Sequence, residues 1–536
     1  MASSESERIQ RRKNIMIFTN LATTPSTKPH PKLSYDLYNM VREGEVEAGA
    51  EPTPFEAPGV YNLARELLRT LGLVLSYAAT SNLGPTRSSR LYYLWFSSIA
   101  AAYQRVDDGH HIGGTHDDWN WDTRYMIRSE QDRCIWMLLV LEVIMTKLGI
   151  SYTAPWSALA DVYAITAAEG LDAAKSAASL AGNFLEWQAS YTAWFAARAA
   201  DGSVAAAVAP GDDVLPNGAP RLQVDATVDP AGFPHPESWT PLKLTAAATA
   251  QKYLTYNWND VVSAAGLTAG DQSTVFAAAN AFYPGVGSAR DTEIGEVLTI
   301  TNGLTDREKV IAEFWAGGPF TVSPPGMLLW MWKHYVGERD AATVVYSGLD
   351  LSLHLFETGR IVWGLKKAHM QARPIQEIRR LYRGVAVKKY DGTNILGESW
   401  VPYQETNFVT PPFADFPSGH SAFSRSFANV MNRWFGSTIR STSVDMMDIS
   451  LISPALVAQS GTFGTFVFGT GASQIQSGVV PAAPVVLSWS SWDEMAESAG
   501  VSRKYGGIHA TSAHTGSVAA ADTLHAVLSE RFAINM

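Results

Sequence analysis

Apolar residues recur at helical spacing along most of the chain from Val60 onward. Tyr61, Leu63, Leu67, Leu68, Leu71, Leu73 and Val74 share one face and predict a helix ending near Ser81. SSRLYYLWFSSIAAAYQR, residues 88–105, predicts a second helix with a serine cap, and residues 129–147 predict a third. The alanine-rich passage 155–201 predicts two more, because alanine leads the intrinsic helix propensities and no strand-like alternation interrupts it. After Pro241 the helical pattern resumes over 270–283, 306–315, 325–335, 341–370, 418–435 and 515–532. Three stretches break the pattern. Residues 1–56 are polar and turn-rich and predict a mobile or wrapping arm. Residues 202–240 are rich in Pro and Gly and long for a loop, which suits a cover over a pocket mouth or a strap around a partner subunit. Residues 461–489 are Gly- and Val-rich and predict a loop with a short hairpin. The expected architecture is all-α, two packed helical bundles: an arm 1–56, an N-terminal bundle 57–300 carrying the loop 202–240, and a C-terminal bundle 301–536 carrying the chemistry.

Composition narrows the function. With 46% hydrophobic and 17% charged residues the chain is an ordinary globular protein. A formal charge of −10 argues against a nucleic-acid partner, since no basic face offsets it. Cys134 is the only cysteine, so neither an intramolecular disulfide nor a thiolate zinc site can form. Its apolar neighbours CIWMLLVLEVIM mark a buried, inert thiol. The charged start MASSESERIQRRKN and the short apolar IMIF do not make a secretion signal, and the longest apolar run, 135–150, is broken by Glu142 and Lys147. The expectation is therefore a cytoplasmic protein with no membrane partner, leaderless export being left open.

Against this acidic background three short segments concentrate cations. Lys366 to Pro374 reads K-x6-R-P, and a continuous helix would put Lys366 and Arg373 on one face, two turns and roughly 10 Å apart. Phe413 to Ser421, FADFPSGHS, places Pro, Ser and Gly at a helix start with His420 in its first turn, where free N–H groups and the macrodipole favour an anion. Ser502 to His509 reads S-R-x5-H. Three permanent cations, a helix N-terminus and two histidines would hold a tetrahedral oxyanion of charge near −2 or −3. A second cluster, Asp107-Asp108-Gly109-His110-His111 with His116-Asp117-Asp118, has metal-ligand residue types without a metal-ligand spacing and reads as a solvated loop.

The order K-x6-R-P, PSGH, S-R-x5-H resembles the vanadium-dependent haloperoxidases, which share their pocket with the PAP2-type acid phosphatases. The segments Glu313 to Pro319, Pro324-Pro325-Gly326, Glu237 to Leu242 and Trp492-Asp493-Glu494 are similar to segments of bacterial haloperoxidases as well. The resemblance implies vanadate as cofactor, with His509 as its axial ligand and Lys366, Arg373, Ser418, Gly419 and Arg503 holding its oxygens. It implies His420 as the acid–base histidine, Lys366 as the group that polarises a bound peroxo oxygen, and Trp363 with Phe413 as the aromatic wall of the halide pocket. Hydrogen peroxide, bromide and a small organic acceptor would be the partners, and hypohalous acid the product, by way of a side-on peroxovanadate. Phe413 stands where algal bromoperoxidases carry a polar or basic residue, which favours chloride as well. The long arm and the 202–240 loop would suit a homodimer or higher homo-oligomer. Two departures stand out: Gly317 and Gly318 occupy a place, and Ala513 another, where family members carry acids that orient the arginine or histidine. Asp415, Glu313 and His514 are the local substitutes. A phosphatase using His509 as nucleophile, or a non-catalytic oxyanion binder, are the alternative readings of the same residues.

Overall fold

The computed structural model describes residues 62–107, 130–163, 175, 184–218, 221–337, 339–440, 458–462 and 465–531. The main helices run α1 Leu63–Thr80, α2 Gly84–Asp107, α3 Glu130–Lys147, α4 Trp156–Val162, α5 Phe184–Ala199, α6 Ala269–Asn280, α7 Ser288–Asn302 and α8 Asp306–Phe314. They continue with α9 Ser323–Tyr335, α10 Ala341–His369, α11 Pro374–Leu381, α12 Gly419–Phe435, α13 Trp492–Tyr505 and α14 Thr511–Arg531. Strands among the described residues are short. β1 Leu222–Gln223 pairs in parallel with β2 Leu242–Lys243, and β3 Ala386–Lys388 pairs antiparallel with β4 Asn394–Leu396. β5 Ala458–Thr462, β6 Thr465–Phe468 and β7 Val485–Ser488 form an antiparallel sheet in that order. The chain is a helical-bundle protein, as expected.

Helix α10 is the axis of the packing. Asp340 caps it by accepting the Thr343 N–H at 2.7 Å, and every residue from Val344 to Lys366 is buried. A helix buried on all sides and about 43 Å long forms the centre of a core. α2 and α12 lie against it, α13 and α14 against α12, and α6 against α14. The helix stops at Met370, whose φ of 45° is left-handed and whose N–H closes on Lys366 O at 2.9 Å. Close approach of α2 is possible because residue 348 is a glycine: a Cβ there would lie 2.6 Å from Phe96 Cζ.

Several expectations are corrected. α2 begins at Gly84 rather than at a serine cap, and Ser88 instead folds its Oγ back to Gly84 O at 2.7 Å inside the helix. α7, α11 and α13 were not anticipated. The segment 461–489 contributes to a three-stranded sheet, not a lone hairpin. The loop 202–240 also braces its own chain. Ser238 bridges Gln371, Trp239 N–H donates to Met370 O at 2.6 Å and Ala372 N–H to Glu237 O at 2.8 Å. Arg379 of α11 donates to Gln223 O at 2.7 Å and to Val224 O at 3.1 Å. The arm 1–56 and the acidic histidine-rich loop after Asp107 lie outside the described residues.

One apolar core runs without a break from Leu63 in α1 to Leu528 in α14. A smaller core gathers Leu222, Leu242, Ile294, Val297, Ile375, Ile378 and Trp400 beneath α7 and α11. The three motif segments meet at the seam between the two. Within the main core α10 also buries polar groups: His354 Nε2 meets His525 Nδ1 at 3.1 Å, and Asp350 is ion-paired to Arg433 and accepts from Trp434 Nε1 at 2.7 Å. Burial holds His354 down to about 3 and His525 to about 2, from an ordinary 6.5.

Two predictions follow from this packing. Gly348→Ala should lower the midpoint of thermal unfolding, because overpacking of about 1–3 kcal/mol exceeds the gain of about 1 kcal/mol in helix propensity; a raised midpoint would show that Phe96 gives way freely. The unfolded chain binds protons on histidine below pH 6.5 while the folded one does not until pH 3 or lower, so stability should be full above pH 6.5 and fall as pH drops from there toward 3. The slope is up to about 1.4 kcal/mol per pH unit for a histidine as buried as His354. Urea unfolding across that range should show a shallower slope in His354→Gln than in the parent.

Candidate functional site

Lys366 sits in the last turn of α10, but Arg373 does not continue that helix. Met370 ends it, and Arg373 is extended (φ −75°, ψ 152°) as the N-cap of α11, with Pro374 in the first turn. The two cations are therefore not stacked on one helical face. They converge by another route, on the backbone of the FAD tripeptide. Lys366 Nζ donates to Ala414 O at 2.7 Å and Asp415 O at 3.1 Å, and Arg373 Nε donates to Phe413 O at 2.7 Å. Arg373 Nη1 donates to Ile508 O at 2.8 Å and points at His509 Nε2 from 3.1 Å. Arg503 donates to Ala312 O at 2.6 Å, which ties it to the C-terminal end of α8. All three are buried, to 0%, 2% and 1% exposure, where a solvated surface role would have left them open.

The PSGH segment starts α12. Ser418 is its N-cap and is held on both sides by α14, its N–H donating to Ala513 O at 2.8 Å and its C=O accepting from Ser517 Oγ at 2.7 Å. Gly419 is thus the first helical residue, its N–H free of the helical ladder as in any first turn. His420 follows, beside the carbonyls of Trp315 and Ala316, with an Nε2 that has no hydrogen-bond partner. Gly317 makes room for it. Its φ is 54°, and a Cβ there would lie 3.3 Å from Pro324 Cδ and 3.5 Å from His420 Nε2. Trp363 and Phe413 pack at a centroid distance of 4.9 Å, and Lys366 Nζ lies 5.0 Å from the Phe413 ring centre. Trp363 is pinned by Nε1–H donation to Leu254 O at 2.9 Å.

His509 is fixed at both ring nitrogens. Nδ1 lies 2.5 Å from Asp415 Oδ1, and Nε2 faces Arg373. Asp415 Oδ2 accepts from Arg290 Nη2 at 2.7 Å, and Arg290 Nε donates to Glu377 Oε2 at 2.8 Å. Of the three substitute groups considered from the sequence, Asp415 alone touches His509. Glu313 is spent elsewhere, accepting from Tyr403 Oη and Ser473 Oγ, each at 2.5 Å. His514 lies between Ser421 Oγ at 3.0 Å and Glu497 at 3.2 Å. Arg290 and Glu377 carry no motif and were missed. A signal existed: Arg290, Ile294, Val297, Leu298 and Thr301 form the buried stripe of α7, so a cation occupies a core-facing helical position. Lys367 and His369 point away, to Asn257 at 2.7 Å and Asn280 at 2.8 Å.

Burial sets the charge state. It pushes Lys366 well below its ordinary value, with Arg373 adding to the effect, and brings Arg373 down to about 10 and Arg503 to about 9. His509 falls to about 3, by burial first and Arg373 second, so its imidazole is neutral. His420 is pushed well down by burial, then by Arg503 and His509. Arg290 with His509 and Arg373 overcomes burial at Asp415 and keeps it ionised, whereas burial lifts Glu377 to about 7. Four buried basic side chains (Lys366, Arg373, Arg503, Arg290) thus share the region with two fully buried carboxylates (Asp415, Glu377) and with Glu293, 3.5 Å from Arg290, a lining rich in donors that suits an anion. The free valences agree. Arg373 Nη2 and His420 Nε2 lack partners, and Lys366 has spent two of three protons on backbone carbonyls. A tetrahedral oxyanion bound through one imidazole fits this donor set. No group of three or more His, Cys, Asp or Glu that could hold a bare metal ion occurs among the described residues.

Residues 349–532 match the family model for the VCPO second helical-bundle domain. No curated protein matches the sequence significantly. In overall fold the chain is similar to a bacterial vanadium-dependent iodoperoxidase, with 18% identity and a TM-score of 0.54, covering 87% of this chain and 96% of that one. It is similar also to an apo-type bacterial vanadium-dependent chloroperoxidase, with 13% identity and a TM-score of 0.51 over 84% and 96% of the two chains. At these identities the likeness establishes the shared fold, and the domain match covers the part of the chain that carries all three motifs. Residues 349–532 therefore carry the match to the VCPO second helical-bundle domain, and the chain as a whole shares the helical-bundle fold of the two bacterial enzymes.

Proposed function

We propose that the protein is a vanadate-dependent haloperoxidase that uses hydrogen peroxide to oxidise bromide, and chloride with it, to hypohalous acid. The observation that carries this reading is the convergence of Lys366, Arg373 and the N-terminus of α12 around His509, whose Nε2 faces the Arg373 guanidinium at 3.1 Å. His509 Nε2 would hold the metal, and Lys366, Arg373, Arg503, Ser418 and the Gly419 N–H would take the oxyanion's charge. Bound there, vanadate supplies a Lewis acid that activates peroxide toward halide without changing its own oxidation state.

The chain's own groups then divide the work. His420, neutral and with a free Nε2, is placed to accept the proton that peroxide gives up on binding. Lys366, the compact cation, is the donor suited to polarise the oxygen that halide attacks, while the arginines serve as rigid forks. Trp363 and Phe413 present an apolar surface beside Lys366, which strips water from a halide and leaves it more reactive.

The test is halogenation of monochlorodimedone by the apo protein supplied with orthovanadate and peroxide, with bromide and chloride run separately and His509→Ala alongside. Turnover that requires vanadate and is lost by at least a hundredfold in His509→Ala is expected, with bromide faster than chloride. Hydrolysis of p-nitrophenyl phosphate that vanadate inhibits, without halogenation, would replace this reading with a phosphatase. Silence in both assays would leave a non-catalytic oxyanion binder.

A further inference from the structure

We infer that Asp415 is the positioning residue of this site, holding His509 as the Nδ1–H tautomer so that Nε2 offers its lone pair to the bound group. The inference rests on the reading of His509 as the ligand and specifies what makes it one. Both neighbours of the ring select the same tautomer. Asp415 Oδ1, at 2.5 Å, can only accept, so it requires a proton on Nδ1. Arg373 Nη1, at 3.1 Å, can only donate, so it requires a lone pair on Nε2. The opposite tautomer would set carboxylate against lone pair on one side and N–H against N–H on the other.

Asp415 is itself held so that it cannot turn away. Arg290 Nη2 fixes Oδ2 at 2.7 Å, and the Asp415 N–H donates to Gln371 O at 3.0 Å. Arg290 is anchored in turn by Glu377 and by Ala372 O, at 2.8 and 3.0 Å. The same residue also reaches the second side of the pocket, since its main-chain oxygen accepts from Lys366 Nζ at 3.1 Å. One residue therefore orients the imidazole through its side chain and the ammonium through its backbone. Where the relatives' orienting acids are absent, at Gly317, Gly318 and Ala513, this chain carries the orienting carboxylate inside the FADFPSGHS motif, three residues before Ser418.

An isosteric substitution separates positioning from packing. In Asp415→Asn the amide oxygen must face Arg290, which only donates, so the amide NH2 faces Nδ1. The ring should then switch to the Nε2–H tautomer with its shape unchanged, and Nε2 would no longer be a ligand atom. The experiment uses apo protein labelled with ring-15N histidine, the His509 signals being identified by their loss in His509→Ala. Wild type should show Nδ1 protonated and Nε2 bare, and Asp415→Asn the reverse. Isothermal titration with orthovanadate should show binding weakened at least tenfold in Asp415→Asn, with unchanged helical circular dichroism. A wild-type His509 protonated on Nε2 would overturn the inference without any variant or any vanadate. So would an Asp415→Asn that keeps the Nδ1–H form and binds within twofold of wild type. A wild type with the assigned tautomer that takes up no orthovanadate would support the role of Asp415 and overturn the haloperoxidase reading instead.

Discussion

Basic side chains held out of water are the constraint on which this structure turns. Lys366, Arg373, Arg503 and Arg290 are each 2% exposed or less, and an uncompensated buried ion costs several kcal/mol. The compensation comes mainly from main-chain oxygens. Phe413, Ala414, Asp415, Ile508, Ala312 and Ala372 all turn a carbonyl onto one of these cations. Carbonyls can only be aimed this way if the loops bearing them are rigid, which gives the surrounding architecture its purpose. The buried helix α10 carries Lys366, the strap at 236–240 is hydrogen-bonded to residues 370–372, and Ser418 is clamped by α14.

The same burial that strains the cations prepares the histidines. A low-dielectric site disfavours every charged form, so the imidazoles of His509 and His420 are neutral. A neutral ring can lend a lone pair or take up a proton, and the two do different things because their partners differ. His509 is committed on both nitrogens, to Asp415 and Arg373, whereas His420 Nε2 is uncommitted. Phe413 links the polar and apolar sides of the pocket. Its carbonyl accepts from Arg373, while its ring packs at a tilt of 56° against Trp363 and lies beside Lys366. A substitution at Phe413 would accordingly act on charge placement as well as on the wall.

The departures from the family pattern read differently once the contacts are known. Gly317 is no mere loss of an acid. Its left-handed backbone and bare Cα let the loop after α8 pass within reach of His420. Ala513 has its carbonyl committed to the Ser418 N–H, so its side chain is not what holds the helix start. Orientation of the imidazole passes instead through Asp415 and Arg290 to Glu377, a chain that joins α7 and α11 to the site across the seam between the two cores.

Much of this was legible in the sequence, and the reason is local. Helical periodicity identified α1, α10 and α12 to within a few residues, because each buries a face set by its own 3.6-residue repeat. The three motifs named Lys366, Arg373, Ser418, Gly419, His420, Arg503 and His509, because cation, glycine and histidine spacing is a property of short segments. What the sequence could not decide was anything requiring two distant segments to meet. The left-handed Met370 that breaks α10 before Arg373 depends on the strap at Trp239, more than a hundred residues earlier, for its carbonyl's partner. The choice of Asp415 over Glu313 and His514 depends on which carboxylate the fold leaves unclaimed, and Tyr403, Ser473, Ser421 and Glu497 claim the other two. Arg290 belongs to the site only because α7 docks beside α11. Local chemistry chose the residues, and long-range packing chose their partners, since only tertiary contact can bring a carboxylate 94 positions away within 2.5 Å of an imidazole.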